Sequence, residues 1–190
     1  MEQMREYLKS FGILSAEDIS QIENKATLKT IKKGDFFITE GSTSNQVGFV
    51  ISGVFRSYYH SSSEEQVTYC FTFSNTFVSA YSSFLTQQPT SENIEALTDV
   101  EILNLSRDSI VALEQKNTNW LRFFKFMAEQ EYIKMEQRIF LLQKETAEQR
   151  YKDLLKNHPN FLQLIPLSYL ASYLGITQRH LSRIRKSISN

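Results

Sequence analysis

Gln178, Arg179, Ser182, Arg183 and Lys186 follow one another at one-, three- and four-residue steps, which puts all five on one face of an α-helix. Leu181, Ile184 and Ile188 line the opposite face. From Leu154 to the carboxyl terminus there is no Asp or Glu, against Lys156, Arg179, Arg183, Arg185 and Lys186. A basic, acid-free end on a chain with 21 Lys+Arg and 21 Asp+Glu is the footprint of a phosphate-binding face. The chemistry expected of these side chains is hydrogen bonding and ion pairing to nucleic acid, with no bond made or broken.

Such a face needs elements that hold it. Leu167, Leu170, Ala171 and Leu174 recur at helical spacing just upstream, with Pro166 placed for a first helical turn. Gly175 ends that helix, Ile176 turns back toward the core and Thr177 caps the next helix. A small residue, Ala171, stands four before the turn glycine, where two helices cross closely. The pattern predicts a helix-turn-helix whose second helix lies in a DNA major groove, its first residues at the base edges. An αα-hairpin closing an ordinary bundle would share the helices, and its basic face would simply be solvated.

Other chemistries find little support. The histidines are His60, His158 and His180, and no two have metal-ligand spacing. A cupin-type metal centre would need two or three converging histidines plus a carboxylate, so neither a metal site nor enzymatic activity is expected. Ser61-Ser-Ser63 reads as loop, and no nucleophile–base pairing stands out. The single cysteine, Cys70, excludes an intramolecular disulfide and an all-cysteine metal site; its run Val67–Phe73 predicts a buried strand thiol. Hydrophobic content of 41% is that of an ordinary globular chain. The charged amino-terminal residues argue against a signal peptide, and no apolar run is long enough for a membrane span, so a cytoplasmic location is expected.

Residues 1–27 read as helical. Met4, Tyr7, Leu8 and Phe11 share a face before Gly12, and Ser15-Ala-Glu-Asp18 has a capping-box pattern ahead of Ile19 and Ile22. From Leu28 short apolar runs are cut by turn residues: 28–31, 36–39, 46–51, 54–59, 66–73, 93–96 and 100–105. So many short strands predict a sandwich, roll or barrel. From about Asn119 to Glu148 there is no Gly or Pro. Trp120, Phe123, Phe124 and Met127 begin an apolar face that Tyr132, Met135, Ile139 and Leu142 continue, while Phe126, Ile133 and Phe140 make a second. Two apolar faces predict a helix covered on both sides, by its own domain and by a second copy of itself; burial within one subunit is the alternative. The pattern weakens at Gln143–Thr146 and resumes with Tyr151, Leu154 and Leu155. Pro159 within His158-Pro-Asn160 stops the helix, and Phe161–Ile165 reads as a short extended lead into the helix-turn-helix.

Lys33-Gly-Asp-Phe-Phe-Ile-Thr-Glu-Gly41, followed by Val47-Gly-Phe-Val-Ile-Ser-Gly53, looks like the start of a cyclic-nucleotide-binding β-roll. With the long helix and carboxyl-terminal helix-turn-helix behind it, nearly the whole chain resembles the Crp/Fnr family of bacterial transcription regulators. The resemblance implies an α+β fold divided into a β-roll sensor at 1–116, a dimerisation helix at 117–144 and a winged-helix-like DNA-binding domain at 145–190, although almost nothing follows Lys186 to build a wing. It implies a homodimer on a pseudo-palindromic site, with double-stranded DNA and a second copy as partners and RNA polymerase among those it admits. Gln178, Arg179 and Arg183 map onto the family's base-reading positions. Arg183 matches an arginine that reads guanine, whereas Arg179 stands where a glutamate is common, so the half-site should differ. Ser182, Arg185, Lys186 and the amides near Ser168 are placed for phosphates.

The family's nucleotide pocket is degenerate here. Where its pattern has Phe-x-Gly-Glu this chain has Ser79 and Ala80, and where it has an Arg-Ser pair this chain has Thr90 and Ser91. No Lys or Arg occurs between Arg56 and Arg107 to replace the lost cation. A buried phosphate without a charged partner is costly, so cyclic AMP and cyclic GMP are not expected to bind. No cofactor is implied, and any effector is left open. The pocket is empty, filled by Tyr81 and Phe84, or used by another ligand. Two alternatives remain: a ligand sensor without a direct DNA role, and a helix-turn-helix turned into a partner-docking surface.

Overall fold

A computed structural model describes residues 1–157, 159 and 161–188; His158 and Asn160, read above as flanking a helix stop, lie outside the described residues. At the amino end Met4 and Leu8, four residues apart, bury one side of α1 (Glu2–Ser10). The capping box predicted at Ser15 and Asp18 opens α2 (Ala16–Glu23), where Ile19 and Ile22 are buried. Asp18 is buried as well. It accepts from Ser15 N at 2.9 Å, Ser15 Oγ at 2.8 Å, Asn117 Nδ2 at 2.7 Å and Asn119 Nδ2 at 3.0 Å. Burial opposes ionisation of this carboxyl. The amides of Asn119 and Asn117 and both Ser15 groups outweigh that, and hold it down at about 2.

Eight strands follow: β1 (Thr27–Ile31), β2 (Phe36–Ile38), β3 (Gln46–Ser52), β4 (Phe55–His60), β5 (Gln66–Thr72), β6 (Phe77–Val78), β7 (Glu92–Ala96) and β8 (Val100–Ser106). They form two four-stranded sheets, ordered β1-β8-β3-β6 and β2-β7-β4-β5. Seven of the eight were legible as apolar runs. The two-residue β6 is too short to show a period, and it was found only through its pairing with Gly48 and Phe49 on β3.

In the first sheet the inner strands β3 and β8 bury side chains on both faces, which explains why they read as apolar runs, whereas β1 is exposed over Thr27–Thr30. Val50 and Ile102 join Ile31, Phe37, Phe55 and Ile94 in the core between the sheets. Their strand neighbours Phe49 and Leu103, together with Leu105, join a second core with Met4, Leu8, Ile19, Ile22 and Trp120. The β3–β4 turn requires its glycine: Gly53 has φ +91°, and a Cβ there would meet Asp99 O at 2.5 Å.

The remaining helices are α3 (Tyr81–Thr86), α4 (Arg107–Glu114), α5 (Thr118–Lys144), α6 (Ala147–Asn157), α7 (Phe161–Leu164), α8 (Leu167–Tyr173) and α9 (Gln178–Ile188). The chain divides into two compact units, Met1–Tyr59 with Phe71–Ala128 and His60–Cys70 with Glu129–Asn190. In the first unit, α5 buries Trp120 and Phe123. In the second, the same helix leaves Tyr132, Met135, Ile139 and Phe140 exposed, at 69%, 53%, 49% and 56%. The break after Lys144 falls where the apolar pattern weakens, and Thr146 Oγ1 caps α6 by accepting from Gln149 N at 3.2 Å.

Two expectations need correction. Phe161–Ile165 is a turn of helix, not an extended lead: Ile165 N donates to Phe161 O at 3.0 Å, the four-residue bond that only a helical turn makes, and both residues are buried. Cys70 is half-buried rather than buried.

Candidate nucleic-acid interface and ligand cassette

The corner between α8 and α9 is built by its backbone. Gly175 takes φ +68°, its N–H donates to Ser172 O at 3.0 Å, and Ile176 N donates to Ala171 O at 3.0 Å. These two bonds are the Schellman closure of a helix, which favours glycine at the left-handed position. Thr177 then caps α9, its hydroxyl accepting from His180 N at 3.2 Å. Leu170, Ala171, Leu174, Leu181 and Ile184 are buried around the corner, while Ile176 and Ile188 are half-buried.

Every side chain singled out on α9 is on the surface: Gln178, Arg179, Ser182, Arg183 and Lys186 are all exposed. The helix brings the three base-reading candidates and Lys186 onto one solvent-facing side. Ser182 differs from the others, because its hydroxyl donates to Gln178 O at 3.0 Å, one turn back on the same helix. Only its acceptor lone pairs stay open for a partner unless the hydroxyl rotates. Arg185 and Ser168 are exposed too.

The cassette between β6 and β7 has the opposite character. Ala80 is fully buried at the start of α3, and Ser79 Oγ donates to Gln46 O at 3.2 Å. Thr90 is buried: its N–H donates to Ser42 O and its carbonyl accepts from Gly41 N, both at 2.8 Å. Its hydroxyl accepts from Glu92 N at 3.2 Å, and Ser91 is exposed. Two residues not singled out in the sequence complete the closure. Ser83 Oγ accepts from Ser44 N at 2.9 Å and donates to Gln88 O at 2.5 Å. Gln87, at φ +57°, donates from Nε2 to Ser44 O at 3.2 Å and Phe84 O at 2.9 Å. One serine of the Ser82-Ser83 pair and one glutamine of the Gln87-Gln88 pair carry no sequence signal for this arrangement.

Phe84 is buried in the amino-terminal core, and the ring of Tyr81, 43% exposed, stacks 6.4 Å from it. Burial and the nearby Glu114 together raise the Tyr81 phenol. The two arginines that bracket the cation-free stretch are engaged. Arg107 Nε donates to Phe84 O at 3.3 Å, at the carboxyl end of α3. Arg56, 1% exposed on β4, lies 3.7 Å from Glu95 and 4.3 Å from the centre of the Tyr58 ring. In the neighbouring β2–β3 segment, residues 36–39 and 42–46 line a cleft of about 390 Å³. Among the described residues no cluster of His, Cys, Asp or Glu could hold a metal, and no helix is long and apolar enough to cross a membrane.

Residues 28–117 match the family described as the cyclic nucleotide-binding domain. Similar folds occur in FixK2 from Bradyrhizobium japonicum, with 19% identity, 86% of this chain and 84% of that one covered, and a TM-score of 0.75. A protein assigned to the crp/fnr family of transcriptional regulators from Eubacterium rectale gives 15% identity, 97% and 88% coverage and 0.74. The c-di-GMP responsive global regulator CLP of Xanthomonas campestris gives 13%, 92% and 92%, and 0.72. No curated protein matches the chain by sequence.

Proposed function

This chain has the fold of the Crp/Fnr-type transcription regulators, and on that premise we propose that it is a DNA-binding regulator that recognises a specific sequence as a homodimer. The observation that carries the reading is the α9 face, where Gln178, Arg179, Arg183 and Lys186 are exposed in a segment without a single acidic side chain from Leu154 onward. In this reading residues 145–190 form a helix-turn-helix domain and α9 enters the major groove. Arg183 pairs with a guanine and Gln178 and Arg179 read adjacent bases, while Lys186, Arg185 and the lone pairs of Ser182 meet the backbone side of the groove. Residues 117–144 form the dimerisation helix, whose exposed Tyr132, Met135 and Ile139 meet their counterparts in a second copy. Two recognition helices then sit roughly 34 Å apart on a pseudo-palindromic site.

Residues 1–116 are the sensor of this scheme, and cyclic AMP is not its signal. The polar groups of the cassette bond to one another, Thr90 stands where a cation would be needed, and Arg56 and Arg107 have other partners. The cleft beside β2 favours a second reading, a small-ligand sensor that acts without touching DNA. A gel shift on duplex DNA from upstream of the coding region separates the two. Retardation that survives competitor DNA supports the regulator, and its absence at micromolar protein supports the sensor.

A further inference from the structure

Within the second unit, one hydroxyl joins the β-roll's outermost strand to the helix that precedes the recognition helix. β5 is the last strand of its sheet, so one row of its backbone groups faces no further strand. Ser172, in the last turn of α8, meets that row twice. Its Oγ accepts from Thr68 N at 2.9 Å and donates to Gln66 O at 3.2 Å. Backbone groups two residues apart on a strand point to the same side, and a hydroxyl both donates and accepts, so one serine bridges them. The Thr68 end of the bridge is buried.

The next residue is held from a second element. Arg138 of α5 donates from Nη2 to Tyr173 O at 2.5 Å, and its guanidinium stacks 3.8 Å from the centre of the Tyr173 ring. Both holds lie immediately before the Gly175 corner, so they set the direction in which α9 leaves it. With both made, the outward side chains of α9 stay exposed. The contact therefore orients the helix and does not cover it.

We propose that Ser172 is a hydroxyl latch that fixes the α8–α9 pair on the edge of β5, so that the 60–70 segment of the same unit sets the orientation of the recognition helix. This rests on the DNA-binding reading above for its effect on DNA, and on the Ser172 geometry alone for the latch itself. Cys70 gives a built-in reporter: it is the chain's one cysteine, lies two residues beyond Thr68 on β5, and is close enough to Tyr173 to influence its ionisation.

The test compares wild type, Ser172→Ala and Ser172→Thr, each checked by thermal melt, in two assays: the rate of Cys70 modification by a disulfide reagent, and affinity for the duplex selected by wild type. The latch predicts that Ser172→Ala speeds Cys70 modification and weakens specific binding, each by about ten-fold, while low-salt non-specific binding is unchanged. Ser172→Thr, which keeps the hydroxyl, stays near wild type in both. A Cys70 rate unchanged in Ser172→Ala overturns the latch. So does a faster rate with unchanged or tighter specific binding. If Ser172→Ala does not fold, Arg138→Ala replaces it, with a smaller rise in Cys70 rate expected and no rise counting against the proposal. If wild type selects no DNA, the regulator reading fails by itself, and the Cys70 rates still decide the latch.

Discussion

The α9 face and the α3 cassette both carry several polar side chains, and they use them in opposite ways. On α9 the guanidiniums of Arg179 and Arg183, the Lys186 ammonium and the Gln178 amide point to solvent. Around α3 the hydroxyls of Ser83 and Thr90 and the amide of Gln87 bond to neighbouring backbone. A surface that recognises an external partner must keep its donors open until the partner arrives, because each protein hydrogen bond already made has to be exchanged for the new one. A cassette whose polar groups are mutually bonded has no such reserve. The comparison separates two regions that the overall fold alone would equate with binding sites.

The largest blow to the open side should come from removing the pairing of two faces. Ile139→Asp, placed in the exposed stripe of α5, should give a monomer near 22 kDa by sedimentation and lower affinity for a full palindromic site by about a hundred-fold or more, through loss of two-site binding. A dimer of unchanged stability would show that the stripe is not the contact. Next in size, Arg183→Ala should cost about 1–3 kcal/mol of discrimination at one base pair of each half-site and leave weak, salt-sensitive binding. Unchanged preference in that variant would remove Arg183 from the reading set.

Outside both regions, Asp18 at the start of α2 provides a pH-dependent check on a buried polar cluster. Its carboxyl is held at about 2 in the folded chain, below its ordinary value near 4 when unfolded. The stabilisation is therefore complete above pH 4, and disappears as pH falls from about 4 through 2. Asp18→Asn should lower stability by about 2 kcal/mol at neutral pH, and should flatten the acid side of the denaturation profile. Ser83→Ala should cost less, about 1–2 kcal/mol by denaturant titration, by removing the acceptor of Ser44 N. Smallest of all, cyclic AMP should produce no binding heat in calorimetry and no shift in melting temperature. Micromolar binding would show that the cassette opens.

Much of the open region was readable from residue order, because periodicity and local chemistry coincide there. The glycine, the threonine cap and the leucine spacing each specify the α8–α9 corner independently. The closed region was legible only as a departure from the family resemblance, which sets Ala80 and Thr90 where a glutamate and an arginine would stand and does not say which contacts take their place. Those contacts join residues far apart in sequence, such as Ser44 with Ser83, and no local pattern encodes them. Phe161–Ile165 was misread for a related reason. Five residues beside a proline show no period, and positions four apart share a face in strand and helix alike; the bond from Ile165 N to Phe161 O marks the helix. Ser172 gave no signal, since its importance comes from the strand edge it meets.

The central claim, that α9 reads duplex DNA from a paired molecule, is tested most directly by selecting bound sequences from a random pool with the full chain. The account predicts enrichment of a two-fold related site whose half-sites are centred about one helical turn apart, each with a guanine whose preference disappears in Arg183→Ala. Recovery of no sequence above background by a folded, dimeric wild-type protein would contradict it.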